Sequence, residues 1–587
     1  NHALARLKPG DTLSLRGGTY HEHATVTLSG TADRPITLRS YPGELAILDG
    51  GFREFLESPK TAWEPAPDGA KGEFRSTKGY PDVGKGRRSV AVLGNFADSM
   101  VPLHGYRFLI DFRSDNPYWN LDNKLDTKRG VWCGPGLWFN PESQRIHVRL
   151  RPAALKAFGE ANYRGETDPR KLPLVVAASV VPLRIARAKH VRVQDLVVRG
   201  SASHTVEVDG AEDVILDNVT VYGGAPALHA RASSGLKLTR CALRGLSAPW
   251  SSRSSHKYRG NSPYLLIVAG DSPQCRDFEF AGCEFTDNHD GLIVGTLKGL
   301  KFHHNLVENF DDDGIYLTLK RSAPPEGIHV YQNILSRCLT TFAFAESGRG
   351  VKNDVGPGVY IYRNLLDLRR GTLDSPPNSA EADAKTSLAN WCRDGRPAGD
   401  HGSPVWEPLF VYHNTILCSA PAFRDYYAAG LGGHTQGTRR CLFNNIVVQV
   451  RGNPGLVFPP AEVDLQADGN LLWGIQDGPK LKGDFFAAFR RSKLFEASKK
   501  SYPPGWGTND RFADPQLVRL PADGREPVDV RLRPGSPAVD AGVALPAEWP
   551  DPLRKLDRGK PDVGALPLGA DPLRVGPSAL PRPARGR

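Results

Sequence analysis

Five aspartates fall within residues 283–321, CEFTDNHDGLIVGTLKGLKFHHNLVENFDDDGIYLTLKR. The stretch holds two near-copies of one pattern. Cys283 leads to Asp290-Gly291-Leu292-Ile293-Val294, and Asn305 leads to Asp313-Gly314-Ile315-Tyr316-Leu317. Asp290 and Asp313 are 23 residues apart, with Asp311 and Asp312 crowding the second copy. Clustered carboxylates either hold a cation or, when one keeps a proton at a shifted pKa, divide into acid and base. A structural role competes with both. Asp-Gly turns precede strands in repeat proteins because Gly tolerates positive φ and Asp caps the turn. The Asp311-Asp312-Asp313 run exceeds what a turn needs.

A period in the low twenties is one coil of a parallel β-helix. Equivalent positions on neighbouring coils then lie about 4.8 Å apart, which gathers Asp290, Asp312 and Asp313 on adjacent rungs. The repeat occupies residues 173–475, with rungs such as VRVQDLVV, VILDNVTV, LKFHHNLV and LFVYHNTI. One column reads Asp195, Asn218, Cys241, Cys283, Asn305, Asn333, Asn364, Asn414, Asn445 and Asn470, in steps of 23, 23, 42, 22, 28, 31, 50, 31 and 25. Stacked amides at a turn bond from rung to rung and satisfy buried backbone groups, so this column is an asparagine ladder with a structural role. Alignment of the second strands puts His204, Pro226, Tyr264, Asp290, Asp313 and Thr341 in one column. Glu207, His229, Ile267, Ile293, Tyr316 and Phe344 form the column three residues on.

The long steps place insertions at one corner, where they wall a groove beside the acidic rungs. The groove's candidate substrate-binding residues are His229, Tyr316, Glu346, Trp391, Arg393, His401, Trp406, Tyr426, Tyr427 and His434; its candidate bases are Lys320, Arg321, Arg349 and Lys352. His303-His304 are adjacent strand residues facing opposite ways, so they read as turn or solvent residues rather than a metal pair.

The expected fold is all-β, a single-stranded right-handed parallel β-helix. Residues 1–50 give the N-terminal cap and first coils, 51–172 an aromatic-rich insertion with a hairpin turning at NPES, 173–475 the core, and 476–587 a module covering the last open strand edge. The 587 residues carry a net charge of +11. Basic residues are dispersed and no nucleic-acid-binding motif occurs, so an acidic polysaccharide or oligosaccharide is the expected partner rather than nucleic acid. No apolar run reaches membrane-span length. A start at Asn1-His2, with Met100 the only Met, reads as a processed or trimmed N-terminus in which any signal peptide is no longer visible. The protein is expected to be secreted or periplasmic and to act as a monomer. Eight cysteines without a CxxC pair read as buried thiols, with Cys275–Cys283 and Cys392–Cys418 bridges as the alternative.

The stretch LKPGDTLSLRGGTYHEHATVTLSGTADRPITLRSYPGELAILDGG resembles the opening coil of secreted pectate-lyase-like β-helix proteins. NHDG followed one coil later by DDDG is similar to the calcium-binding pattern of family 9 pectate lyases. That resemblance implies Ca²⁺ held by Asp290, Asp312 and Asp313 and cleavage of a uronate chain by β-elimination. Where the pattern has a further Asp, this chain has Tyr316, and the next coil offers no strand Lys as base. The same spacing is similar to the three-Asp arrangement of β-helical polygalacturonases and some β-helical exo-glycosidases, which implies acid and base roles for Asp290, Asp312 and Asp313. Glu346, one rung on, offers a further carboxylate. The Gly-His-Gly motif of polygalacturonases and the Asp-Pro-His-Asp signature of uronate epimerases are both absent. The lyase reading leads, the hydrolase follows, and a glycan-binding protein is third.

Overall fold

Strands of four to six residues with apolar side chains at alternate positions recur along the chain, and each finds its next copy one coil later as a parallel partner. The computed structural model describes residues 1–581 apart from 82, 84–91, 97–98, 117–129, 153–162, 164, 249–252, 254, 261–264, 272–274, 296, 320–325, 347–357, 374–391, 394, 401–407, 420–438, 451–457, 459–463 and 477–485. A first ladder of 12 strands runs from Thr12–Leu15 to Leu465–Asp468. A second ladder runs from Gly18–Tyr20 through Leu196–Arg199, Glu284–Asn288 and Leu365–Leu368 to Arg511–Phe512. A third runs from Ala24–Val26 through Val206–Asp209, Leu265–Asp271 and Asp290–Val294 to Arg396–Asp400. The result is the right-handed parallel β-helix read from the repeat.

The inward residues close a continuous core down the axis. Val193, Leu216, Leu238, Phe280, Phe302, Val330, Ile361 and Val411 come from successive rungs of the first ladder and are buried. Burial of each such side chain stabilises the coil by about 1.5–3 kcal/mol. A one-residue slip would turn these groups outward, so hydrophobic pattern fixes the register.

The asparagine column is present from Asn305 onward. Asn305 Oδ1 accepts from Cys283 N at 2.8 Å, Asn333 Oδ1 from Asn305 N at 2.8 Å, and Asn364 Oδ1 from Asn333 N at 3.0 Å. The chain of bonds continues through Asn414, Asn445 and Asn470 and ends on Asp510, whose Oδ1 accepts from Asn470 N at 2.7 Å. Burial pushes the Asp510 carboxyl up to about 8. Cys241 and Cys283 occupy the same column as thiols, with Cys241 N donating to Cys283 Sγ at 3.3 Å. The upstream end of the column is different from the sequence reading. Asp195 and Asn218 sit one position earlier, at left-handed φ values of 55°, and the ladder position itself is held by buried Leu196 and Val219. His304 occupies that left-handed turn position at φ 56°, while His303 stacks on Tyr331.

Asn364 Nδ2 also donates to Val330 O at 2.8 Å and Tyr362 O at 3.0 Å. Asn364→Leu therefore strands several buried polar groups at about 1–3 kcal/mol each. A loss of about 3 kcal/mol or more by urea denaturation is the expected outcome, and an unchanged midpoint would refute the ladder's role.

Strands from Trp63 to Val176 build a separate seven-stranded sheet over its own core of Phe55, Trp63, Leu103, Leu137, Ile146, Val148 and Leu174. The NPES hairpin is there, pairing Gly136–Asn140 with Arg145–Arg149. Two short helices, Ala487–Arg490 and Lys493–Ser498, follow the last coils. Together with buried Trp506 and the strand Arg511–Phe512 they close the end of the core. The rest of the C-terminal module does something else. Leu517, Val530, Leu532, Val563 and Leu566 pack on the outward side chains Leu365, Leu417, Ile446, Val448 and Leu471, so it covers a flank of the second ladder rather than its edge. Asp514 Oδ1 accepts from Gln516 N at 2.9 Å as a turn former. Seven cysteines, Cys275, Cys283 and Cys418 among them, are buried free thiols; the Cys392 side chain lies outside the described residues. Among the described residues no helix is long and apolar enough to cross a membrane.

Candidate active site

At the acidic rungs the corner between the second and third ladders disappears. Leu306–Leu319 and Ile334–Glu346 run through it as single long strands belonging to both ladders. Leu292 pairs with Ile315, which sets Asp290 opposite Asp313 on the next rung. Asp313 N donates to Asp290 Oδ1 at 3.2 Å. The column then continues through Thr340 to Arg396, whose Nε donates to Thr340 Oγ1 at 3.1 Å. The register corrects the sequence alignment by one residue on each side: Leu265, not Tyr264, pairs with Asp290, and Thr340, not Thr341, with Asp313. In the neighbouring outward column Val268 and Ala343 replace Ile267 and Phe344, giving Glu207, His229, Val268, Ile293, Tyr316 and Ala343.

The third element of the site lies between the strands Ala242–Arg244 and Leu265–Asp271. It is a π-helical turn, Ser255–Arg259, clamped from outside by the inserted sheet. Arg259 Nη1 bonds buried Asp111 Oδ1 at 2.8 Å, Arg107 N donates to Arg259 O at 3.1 Å, and Tyr106 bridges to Gly260. Held this way, the segment pushes three basic side chains onto the aspartates. Arg253 Nε and Nη2 donate to Asp312 Oδ1 and Oδ2 at 2.9 and 3.1 Å. Lys257 Nζ reaches Asp312 Oδ2 at 2.8 Å. His256 Nδ1 lies 2.5 Å from Asp311 Oδ2, and His289 Nδ1 is bonded to the other Asp311 oxygen. His289 Nε2 lies 3.4 Å from Asp312 Oδ2.

Burial sorts these groups by role. His256, His289, Asp311, Asp312 and Asp313 are between 2% and 6% exposed, whereas Asp290, Tyr316 and Lys257 are half-buried and reach the surface. Burial drives the Asp290 carboxyl up to about 7, with Asp313 and Asp312 adding to the rise and His289 opposing it. Burial works against the charge on Asp311 as well, but His256 and His289 override it and hold the carboxyl well below its ordinary value. Burial opposes the charge on His289 too, and Asp311 and Asp290 override it, raising the imidazole to about 9. Asp312 is likewise held low against burial by His289, Arg253 and Lys257. Burial and the three carboxylates push the Tyr316 phenol up to about 12. The site thus presents one carboxyl that keeps its proton near neutrality, beside a second in register with it.

Of the sequence-predicted residues, Asp290, Asp312, Asp313 and Tyr316 come together. His229 faces the same side three rungs away, roughly 14 Å by strand spacing. Lys320, Arg321, Arg349, Lys352, Trp391, His401, Trp406, Tyr426, Tyr427 and His434 lie outside the described residues. Glu346 and Arg393 are described by backbone alone, paired with Leu319 and Thr372. Sequence reasoning missed Arg253, His256, Lys257, His289 and Arg396. The 42-residue step between Cys241 and Cys283 was the available signal, since it is nearly two coils long and carries SSRSSHKYR.

Ca²⁺ takes six to eight oxygen ligands from carboxylates and carbonyls. Both Asp312 oxygens already face the Arg253 guanidinium, with the Lys257 ammonium on one of them, and both Asp311 oxygens face imidazoles. The residues present do not fit a calcium site built on Asp312.

No family model matches the chain. Short stretches match two curated proteins. One is 43% identical over 49 residues to the uncharacterized protein YwoF of Bacillus subtilis, covering 8% of this chain and 10% of that protein. The other is 46% identical over 50 residues to pectate lyase PEL9 of Emericella nidulans, covering 8% and 12%. The chain thus matches about a tenth of the length of these relatives. Among solved structures, pectate lyase Pel9A aligns at 11% identity and TM-score 0.38 over 97% of this chain and 90% of that one. XylC with xylose aligns at 10% and 0.38 over 81% and 80%, and a glycoside hydrolase at 12% and 0.40 over 79% and 89%. The fold assignment rests on the three ladders themselves.

Proposed function

We propose that the protein is an extracellular enzyme that cleaves glycosidic bonds in an acidic polysaccharide by acid–base hydrolysis at Asp290 and Asp313. The observation that carries this reading is the half-buried Asp290 carboxyl, kept protonated up to about pH 7, opposite Asp313 on the next rung. A carboxylic acid of that kind donates a proton to a departing sugar oxygen, and the second carboxylate attacks the anomeric carbon or activates water. Tyr316, raised to about 12, stays a hydrogen-bond donor to the sugar. Half-buried Lys257, on the neighbouring Asp312, and exposed Arg396, two rungs beyond Asp313, suit a carboxylated or sulfated chain.

A lyase is the second reading, favoured by the short stretch similar to pectate lyase PEL9. Pectate, alginate, glycosaminoglycans and sulfated algal glycans, each assayed for reducing ends and for unsaturated-uronate absorbance, separate the two. Reducing ends rising without absorbance are expected. If both rise together, elimination replaces hydrolysis; if neither rises on any glycan, the enzyme reading fails.

A further inference from the structure

We propose that the segment carrying Arg253, His256 and Lys257 is a built-in cation, occupying with protein side chains the place that the lyase resemblance gives to calcium, so that the site works without a divalent metal. This rests on the reading of the acidic rungs as the active site, but its test does not use substrate.

Two clustered carboxylates repel and need a neutralising charge. Metal sites supply it with an ion; here two chain segments supply it. Arg253 grips Asp312 with two nitrogens and Lys257 adds a third contact at 2.8 Å. His289, bonded through Nδ1 to Asp311 and within 3.4 Å of Asp312 through Nε2, is a third basic group between them. Three basic side chains thus stand against the carboxylates of Asp311 and Asp312. A planar guanidinium matched to a carboxylate is also directional in a way calcium is not. The inserted sheet gives this cation its rigidity, because Asp111 and Tyr106 fix Arg259 and Gly260 immediately after it.

The arrangement answers a feature of the sequence that the lyase resemblance leaves open. The position where that pattern has a further aspartate is Tyr316, a phenol pushed up to about 12, which lowers the number of anionic ligands while the basic residues of 253–257 raise the positive charge.

The test is titration calorimetry of the full chain with calcium chloride alone, with thermal unfolding in calcium and in EDTA. The wild type is expected to show no binding tighter than about 1 mM, the weak end of biological calcium sites, and the same Tm in both buffers. Stoichiometric binding with a calcium-raised Tm would overturn the proposal. The double variant Arg253→Gln/Lys257→Met frees Asp312 and is expected to gain calcium binding and a Tm that calcium restores. A variant that folds like the wild type and still ignores calcium would also overturn it. If the variant does not fold, the wild-type titration decides. Absence of glycan cleavage would leave both calorimetric results standing, so failure here and failure of the hydrolase reading are distinguishable.

Discussion

Asp290→Asn is expected to lower the rate of polysaccharide cleavage by about 10³-fold, the scale of a lost general acid, without loss of the fold. The amide can still accept the bond from Asp313 N but has no proton to give. Substrates with good leaving groups, such as nitrophenyl glycosides, need little protonation and should lose far less. That contrast separates a proton donor from a residue that merely shapes the pocket. The rate of the wild type should fall as pH rises through about 7, where Asp290 loses its proton. The groups that face it are His289, Asp312, Asp313 and Tyr316, with Arg253 and Lys257 acting through Asp312. Stability carries the same signature. A carboxyl raised in the folded state contributes fully below its unfolded value of about 3.9, and that contribution is lost as pH rises through about 7. The variant has no such loss, so its Tm should gain on that of the wild type above pH 7. An unchanged rate together with an unchanged Tm difference would return Asp290 to the role of turn former.

The fold was legible because the β-helix repeats its reasons. An inward apolar pair and a turn amide recur in nearly every rung, and Asn305 through Asn470 stand where the column predicted them. The column failed only at Asp195 and Asn218, where Asp and Asn serve a left-handed turn and can be mistaken for ladder amides one position away. The acidic pair was legible for the same reason, since register is a sequence property. Its partners were not. Arg253, His256 and Lys257 come from a non-repeating segment, held in place by contacts with Tyr106, Arg107 and Asp111, more than a hundred residues earlier in the chain. Asp312, to which the lyase resemblance gives a calcium-ligand role, is paired in the fold with Arg253, a partner that spacing alone does not reveal.

Asp311 is where the largest loss of stability is expected. It is buried and accepts from two buried imidazoles. Asp311→Ala removes the acceptor of both and leaves the His289 charge without its nearest partner; breaking a buried pair in this way costs about 3–5 kcal/mol. The pH window follows from the two shifts. Asp311 is held low in the fold, so its contribution is present above the unfolded carboxyl value of about 3.9 and is lost as pH falls through the lower folded value. His289 is raised to about 9, so its contribution is complete below about 6.5 and is lost as pH rises through about 9. The pair therefore contributes most between about pH 4 and 6.5. Urea denaturation at pH 6 should show the full difference between wild type and Asp311→Ala, and the gap should narrow by pH 10. Asp311→Asn keeps one acceptor oxygen but no charge. It should recover part of the loss at pH 10, where His289 is neutral, and little of it at pH 6. A pH-independent difference would mean that Asp311 acts through packing alone. In that case the link from the inserted sheet to the aspartates would rest on Arg253 and Lys257 without the histidines.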